Sequence, residues 1–231
     1  MANLAAAIAA LLAWVLGRFR RRRRLPGRTL ILSPRESTVI ASDGAVRSTQ
    51  VARLTLPLAE LQRLWTPPNL ENLGRSYWLF LTRATLGLIR VRYGERDRSV
   101  VLLTRALTLL RFDAPEYELD PERAQISWRI RGGLLVARGA GNSGGLSLSV
   151  SRVRADTDPA VLLIEVEVAN YHPAIVSGLG TAAYEATQAF VHVLVTHAFL
   201  RSLATLQLPE SRVGRLRSGS GQRAGTEPEG E

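Results

Sequence analysis

Apolar and polar residues alternate in three runs in the second half of the chain. Ile126, Trp128 and Ile130 alternate with polar residues, and the same two-residue period recurs over residues 146–151 and 162–168. Successive side chains of a β-strand point to opposite faces, so each run predicts a strand with one apolar and one polar face. Such strands are typical of an antiparallel sheet that is covered on one side. Shorter strands are predicted at residues 29–32, 38–41, 51–56, 100–104, 107–112 and 116–119.

A different period marks residues 181–206. Apolar residues recur there every three or four positions without Gly or Pro, and no charged side chain lies between Glu185 and Arg201. This pattern predicts one long, largely buried helix, which would extend roughly 39 Å at about 1.5 Å per residue. A helix of this kind needs a concave partner, and we expect the apolar face of the sheet to cover it.

Two shorter helices are predicted before the strands of the second half. Pro57 stands at a helix-start position, and Leu58, Leu61 and Leu64 share one face of the helix that follows. The prolines at positions 67 and 68 are expected to end it. A second buried helix is predicted over residues 69–88, which are rich in Leu and aromatic side chains.

The order of a short helical pair, a strand meander and one long apolar C-terminal helix resembles the START-like superfamily, also called SRPBCC. This superfamily includes polyketide cyclase-like and lipid-transfer domains, and the resemblance covers roughly residues 50–207 through architecture and hydrophobic pattern. It implies an α+β fold of helix-grip type, in which a curved antiparallel sheet wraps around the long C-terminal helix. It also implies a cavity between sheet and helix that holds an apolar ligand, in a superfamily of which many members lack catalysis.

One polar row follows the otherwise apolar C-terminal helix. Tyr184, Gln188, His192 and Thr196 are spaced four residues apart and therefore share a face. If this row faces the cavity, it orients the polar head of a ligand, as a few convergent polar groups do in apolar pockets. The alternative is that the row is the water-exposed side of the helix. Together with Trp128 on the apolar face of the sheet, these four residues are the candidate ligand-binding residues.

The first 17 residues form an apolar run in which Asn3 is the only polar side chain, and six arginines follow within residues 18–24. This pattern predicts a short N-terminal membrane-anchor helix, and the positive-inside rule places the rest of the chain in the cytoplasm, at the cell membrane. The alternative is a frayed extension from a misassigned start codon, whose arginines would still bind anionic lipid headgroups. The expected membrane contacts are Leu11, Leu12, Trp14, Arg18, Arg20, Arg21, Arg22, Arg23 and Arg24.

The net charge of +10 is concentrated in that entry segment. Seven arginines within residues 18–28 carry seven of these charges, and +3 remains for the rest of the chain. A nucleic-acid interface would need the excess on the folded domain, interleaved with stacking aromatic side chains, so no nucleic-acid partner is expected. The chain contains no cysteine, which excludes disulfides and thiolate metal sites.

Motifs for catalysis and cofactors carry little weight. Residues 139–144 satisfy G-x-G-x-x-G, but a strand-like run follows where a dinucleotide site needs a helix, so a hairpin loop is expected. His192 and His197 are five residues apart and have no acidic residue at ligand spacing, so neither a metal site nor a cofactor is predicted. Glu165 and Glu167 fall on the polar face of their strand, where we expect solvent or strand arginines such as Arg129 and Arg131 as partners. No catalytic residue is assigned.

Four segments result: an anchor helix at 1–17, a basic juxtamembrane segment at 18–28, a helix-grip-like domain at 29–208 and a disordered tail at 209–231. The function this favours is a membrane-tethered domain that binds a hydrophobic or lipid-like small molecule. Three alternatives remain: a structural or interaction module with a solid core, a cavity enzyme acting on an apolar substrate, and a second membrane segment at 181–206. The polar residues of the C-terminal helix argue against the last of these. A pocket above roughly 300 Å³ would favour binding or catalysis over the solid module.

Overall fold

The computed structural model describes residues 25–32, 38–94, 96–104, 106–137, 144–172, 193 and 195–210. The predicted anchor, its arginine cluster up to residue 24, the glycine-rich loop at 138–143 and the tail from residue 211 lie outside these ranges. Within the described ranges, no helix has the length and apolar character needed to cross a membrane.

The described residues form ten strands, two helices and a C-terminal helical segment. The predicted order of a helical pair, a strand meander and a final helix is therefore confirmed. The elements in chain order are β1 (Arg28–Ile31), β2 (Thr38–Ile40), β3 (Val46–Leu56), α1 (Leu58–Leu64), α2 (Pro67–Ala84), β4 (Ile89–Tyr93), β5 (Asp97–Leu102), β6 (Thr108–Asp113), β7 (Glu116–Leu119), β8 (Arg123–Gly132), β9 (Gly145–Arg154), β10 (Ala160–Tyr171), and α3, with described residues 195–202.

All ten strands join one curved antiparallel sheet. Its order is β1-β3-β10-β9-β8-β6-β5-β4, with β2 also paired to β3 and β7 to β8. The last strand, β10, pairs with β3 from Ala160↔Leu56 to Tyr171↔Val46, so the strand before the helical pair lies beside the strand before α3. This arrangement is the helix-grip architecture that the resemblance implies.

The predicted alternation in the three long strands is confirmed. Ile126, Trp128 and Ile130 of β8 are buried, and so are the inward-facing apolar residues of β9 and β10, except for Val168, which is half-buried. One outward position differs from the expectation: Ser149 is buried. It lies in the middle of the sheet between Gln125 and Glu165 of the flanking strands, whose longer side chains exclude water from it.

The two prolines after α1 start the next helix, and they do not merely end the first one. Pro67 and Pro68 are the first residues of α2. The backbone N–H groups of a helix's first turn have no partner within the helix, so proline costs no hydrogen bond there. Thr66 before them is extended (φ −141°, ψ 152°), as a residue before proline prefers. Helix α2 ends at Ala84, four residues before the predicted boundary, and Leu86 and Gly87 follow with φ of 53° and 80°.

The C-terminal helix stops earlier than its sequence pattern predicts. Residues 195–202 are α-helical, and Leu203–Thr205 then form a single 3₁₀ turn that ends at Leu206 in the left-handed conformation (φ 53°). Residues 181–192 of the predicted helix lie outside the described ranges. The described part is well buried, with Phe199 and Leu200 fully enclosed.

Of the partners expected for the strand glutamates, Arg129 and Arg131 are wrong. Glu167 pairs with Arg47 of β3, with Nε and Oε1 3.3 Å apart, and Arg131 pairs with Asp113 of β6. The reason is the strand order, because β10 lies between β3 and β9 and does not touch β8. Arg129 and Glu165 therefore cannot meet as cross-strand neighbours.

Helix α2 packs closely on the sheet because it has a glycine at the contact. A Cβ on Gly74 would lie 3.1 Å from Cδ1 of Ile126 and 3.2 Å from Cζ2 of Trp128. One turn further along, Trp78 meets Trp128 edge to face with ring centroids 5.2 Å apart. The absence of a side chain at position 74 thus lets the two tryptophans interlock in the core.

We expect Gly74→Val to lower the free energy of unfolding by about 1–3 kcal/mol, because added methyl groups must displace Ile126 or Trp128. The loss should exceed the helix-propensity gain of removing glycine, which is below about 1 kcal/mol. Chemical denaturation monitored by tryptophan fluorescence measures it. Arg83→Val, at an exposed position of the same helix, is the control and should change stability by about 0.5 kcal/mol or less. Equal effects of the two substitutions would contradict close packing at Gly74.

Candidate functional site

A cleft of about 80 Å³ lies at one end of the interior, between the sheet and the helices. Its walls are the inner faces of β3 and β10, the facing sides of α1 and α2, and the chain after α3. Of its seventeen lining residues eleven are leucines, and Thr66 and Asn69 bring the hydroxyl and amide groups. The leucines come from elements far apart in the chain: Leu54, Leu56, Leu61, Leu64, Leu70, Leu73, Leu119, Leu162, Leu203, Leu206 and Leu208.

The size of the cleft limits what it can hold. Pockets for drug-sized ligands measure roughly 300–1,000 Å³, several times the volume enclosed by the described residues. The cleft as it stands can therefore take a short apolar group, such as the end of an acyl chain, and not a complete lipid. Its apolar lining gives such a group no strong polar partner, so binding there would depend on burial of apolar surface.

The N-terminal end of the described chain touches the wall of this cleft. Gly27 donates its backbone N–H to the carbonyl oxygen of Ala204 at 3.0 Å. A Cβ on Gly27 would lie 3.2 Å from Cδ2 of Leu206 and 3.3 Å from Cδ1 of Leu54, both of which line the cleft. Gly27 therefore lies at the edge of the cleft.

An aromatic cluster fills the centre of the grip. Tyr77, Trp78 and Phe80 of α2 pack against Phe199 of α3 and Trp128 of β8, with centroid distances of 5.1–6.1 Å. Trp78 is buried, and its Nε1 has no hydrogen-bond partner among the residues that the structure describes. A buried donor without a partner costs about 1–3 kcal/mol, so the position favours a ligand or water with an acceptor oxygen.

Thr196 lies beside the same cluster. It is fully buried, so the water-exposed alternative for the polar row does not hold at this position. Burial raises the pKa of Tyr77 to about 12, and the Thr196 hydroxyl acts in the opposite direction. The hydroxyl groups of Tyr77 and Thr196 therefore lie close enough to interact, although Thr196 Oγ1 makes no hydrogen bond of normal geometry among the described residues. Tyr77 therefore stays protonated near neutral pH.

A line of polar groups ties α3 to the inner face of β3. His197 Nε2 lies 2.6 Å from Oε1 of Gln50, which is fully buried. Gln50 Nε2 donates to Ser48 Oγ at 3.4 Å, and Thr38 Oγ1 donates to the same oxygen at 3.0 Å. Since an amide oxygen only accepts, the neutral histidine carries its proton on Nε2 and donates it to Gln50.

The structure describes only two of the five candidate ligand-binding residues. Trp128 and Thr196 both lie in the core, but neither lines the described cleft. Tyr184, Gln188 and His192 lie outside the described residues, so their role stays a prediction. His197 was considered as a metal ligand only, and its contact with Gln50 was missed. A glutamine among the inward-facing residues of β3 was the available signal, because a buried amide requires a partner.

Titratable and metal-ligating groups are sparse in this interior. Across the described ranges, no three His, Asp or Glu side chains are arranged as a metal site. Burial, and then the charge of nearby Arg201, lower the pKa of His197 below its ordinary value of 6.5. The imidazole is therefore neutral at physiological pH and serves as a hydrogen-bond donor.

Comparison with known proteins yields structural likeness alone. No family profile and no curated protein match the chain. Protein XoxI from Bacillus cereus is similar over 70% of this chain and 96% of its own, at 15% identity and a TM-score of 0.38. Human StAR-related lipid transfer protein 5 is similar over 89% of this chain and 99% of its own, at 10% identity and a TM-score of 0.36. Ara h 8.0201 is similar over 70% of this chain and 99% of its own, at 11% identity and a TM-score of 0.32. At these low values, the fold assignment rests on this chain's own strand order and helices.

We expect the free energy of unfolding to fall as the pH drops below about 6.5, the ordinary pKa of histidine. The pKa of His197 is lowered in the folded protein, so the unfolded chain binds more protons in this range and stability rises with pH. His197→Gln keeps a donor for Gln50 but cannot titrate, and it should flatten this part of the curve. Urea unfolding of both proteins across weakly acidic pH tests the difference, and identical pH slopes would contradict it.

Proposed function

We propose that the chain is a membrane-tethered domain that binds a hydrophobic or lipid-like small molecule between the sheet and the helical layer. The observation that carries this proposal is the leucine-lined cleft at one end of the interior. Its lining is almost entirely apolar, so an apolar group can bind there by burial of its surface. Trp78 Nε1 adds a buried donor in the same interior that has no hydrogen-bond partner among the described residues. An apolar ligand with one hydrogen-bonding oxygen matches both features.

The tether in this proposal consists of the first 17 residues and the arginines that follow. Their sequence supports insertion of the apolar run and binding of anionic lipid headgroups, with the domain on the cytoplasmic side. The position of Gly27 against Leu206 and Leu54 supports this tether, because an anchor that ends shortly before residue 27 would hold the cleft close to the bilayer. Apolar ligands are concentrated in the bilayer, so a cleft held near it meets them at high local concentration.

One observation favours a second function. The cleft encloses about 80 Å³, well below the volume of a drug-sized pocket. A structural or interaction module needs no larger cavity, since its buried α3 only has to complete the core. The two functions differ in what happens when the cleft is filled, and a single substitution distinguishes them.

Ala124→Leu fills the cleft from the inner face of β8 with three additional carbon atoms. For a ligand-binding domain we expect at least about tenfold weaker binding, or ~1.4 kcal/mol, because the added side chain occupies the space of the ligand. Native mass spectrometry of the full chain released from detergent micelles, followed by organic extraction, measures the apolar molecules that remain bound. Filling the cavity should also recover up to roughly 2 kcal/mol of stability, at about 24 cal/mol per Å³.

The matched control is Thr55→Leu. Thr55 points to the outer face of β3, so the substitution adds apolar surface to a strand of the same sheet without entering the cleft. It should retain the bound molecules of the wild type. A wild-type chain that carries the same molecules as Ala124→Leu, in the same amounts, would overturn ligand binding in the cleft and leave the solid module.

A further inference from the structure

Five exposed leucines gather at one corner of the sheet, away from the cleft. They lie in the turn after α2, in the turn between β5 and β6, and just after β8. Their exposed fractions range from 41% to 58%, which is high for leucine side chains in one neighbourhood. The five are Leu86, Leu88, Leu103, Leu107 and Leu134.

Backbone hydrogen bonds hold the three segments together. Leu103 donates its N–H to the carbonyl oxygen of Leu88 at 2.8 Å, and Leu102 donates to that of Leu107 at 2.9 Å. Leu134 donates to the carbonyl oxygen of Thr108 at 3.0 Å. The leucines therefore form one surface, which we name the leucine corner, and are not scattered single side chains.

The backbone at two of these leucines is unfavourable for their residue type. Leu86 and Leu103 have φ of 53° and 58°, in the left-handed region that glycine and asparagine adopt more easily. For a leucine this conformation costs about 1–2 kcal/mol, and such strain concentrates at functional positions. Packing does not explain the choice of leucine, because both side chains are more than half exposed.

The surroundings of the leucine corner are positively charged. Residues 82–92, 103–112 and 130–137 contain six arginines, and the acidic residue beside them, Asp113, pairs with one of these, Arg131. Arg83, Arg90 and Arg111 are exposed and form no salt bridge within the described part of the chain. Apart from the N-terminal cluster, the chain carries a net charge of only +3, so this corner holds more positive charge than the rest of the domain.

We propose that the leucine corner docks onto the surface of a bilayer that contains anionic lipid. Exposed leucines enter the boundary between headgroups and acyl chains, and the arginines around them bind the negative headgroups. An acidic protein surface would match the arginines but would leave the leucines without an apolar partner. The surface is separate from the cleft, and the proposal does not depend on ligand binding.

The position of the corner sets the orientation of the docked domain. Gly27 and Arg28 lie at the Thr55 end of the strands, whereas the corner lies at the opposite end, beside Gly132. Strand β8 alone, with 10 residues, spans roughly 33 Å at about 3.3 Å per residue. A domain held by its N-terminal segment in the same bilayer would therefore lie along the surface.

Site-specific fluorescence tests the proposal, because the chain contains no cysteine. Ala106→Cys places a single environment-sensitive label between Leu103 and Leu107 without removing a leucine. The full chain is reconstituted in vesicles of phosphatidylcholine, alone or mixed with phosphatidylglycerol, with brominated acyl chains as quencher. We expect blue-shifted emission and quenching in the anionic vesicles, and loss of both at high salt.

Two controls complete the experiment. Ala41→Cys labels an exposed alanine on the opposite edge of the sheet and should stay unquenched. Combined Arg83→Gln, Arg90→Gln and Arg111→Gln substitutions should reduce quenching at position 106 to the level at position 41. A label at position 106 that remains in water, or one that is quenched equally without anionic lipid, would overturn the proposal. Neither result bears on ligand occupancy of the cleft, which mass spectrometry measures separately.

Discussion

The structure depends on the need to cover one apolar face of a ten-stranded sheet. Alternating side chains give β8, β9 and β10 a dry inner face, and water must be excluded from it along its length. Helix α2 covers one part by close contact at Gly74, where the tryptophans of α2 and β8 interlock. Helix α3 covers the next part with Phe199, which joins the same aromatic cluster. Burial of these large rings supplies much of the apolar area that holds helices and sheet together.

Packing is not uniform along that interior. In the centre, aromatic rings and fully buried side chains leave little space, whereas the end near α1 is lined by leucines from separate elements and retains a cleft. On β3 the inner face changes character, from Leu54 and Leu56 beside the cleft to Gln50 and Ser48 towards the other end. His197 satisfies the buried glutamine there, so a polar contact fixes the position of α3 on an otherwise apolar surface. The interior thus has an apolar end and a polar end.

Charge and apolar exposure are also separated on the outside. The outer face of the sheet carries cross-strand pairs such as Arg47 with Glu167, which are mostly solvated and add little stability. The leucine corner combines exposed apolar side chains with Arg83, Arg90 and Arg111, which form no salt bridge within the described residues. A patch of exposed leucines marks either an interaction site or a site of aggregation. The basic side chains around this patch favour a partner that is both apolar and negatively charged.

The amino-acid sequence by itself determined most of the local elements and the faces of the long strands, although it gave no sign of strand β4. The two-residue period of β8 to β10 and the three- to four-residue period of the helices follow from backbone geometry, so residues such as Ile126 and Trp128 were placed correctly in the core. Only the tertiary structure decided which strands lie side by side. That choice paired Glu167 with Arg47, joined His197 to Gln50, and brought distant leucines together both in the cleft and at the corner. The physical reason is that periodicity fixes the direction in which a side chain points, whereas its partner depends on contacts between segments that are far apart in the chain.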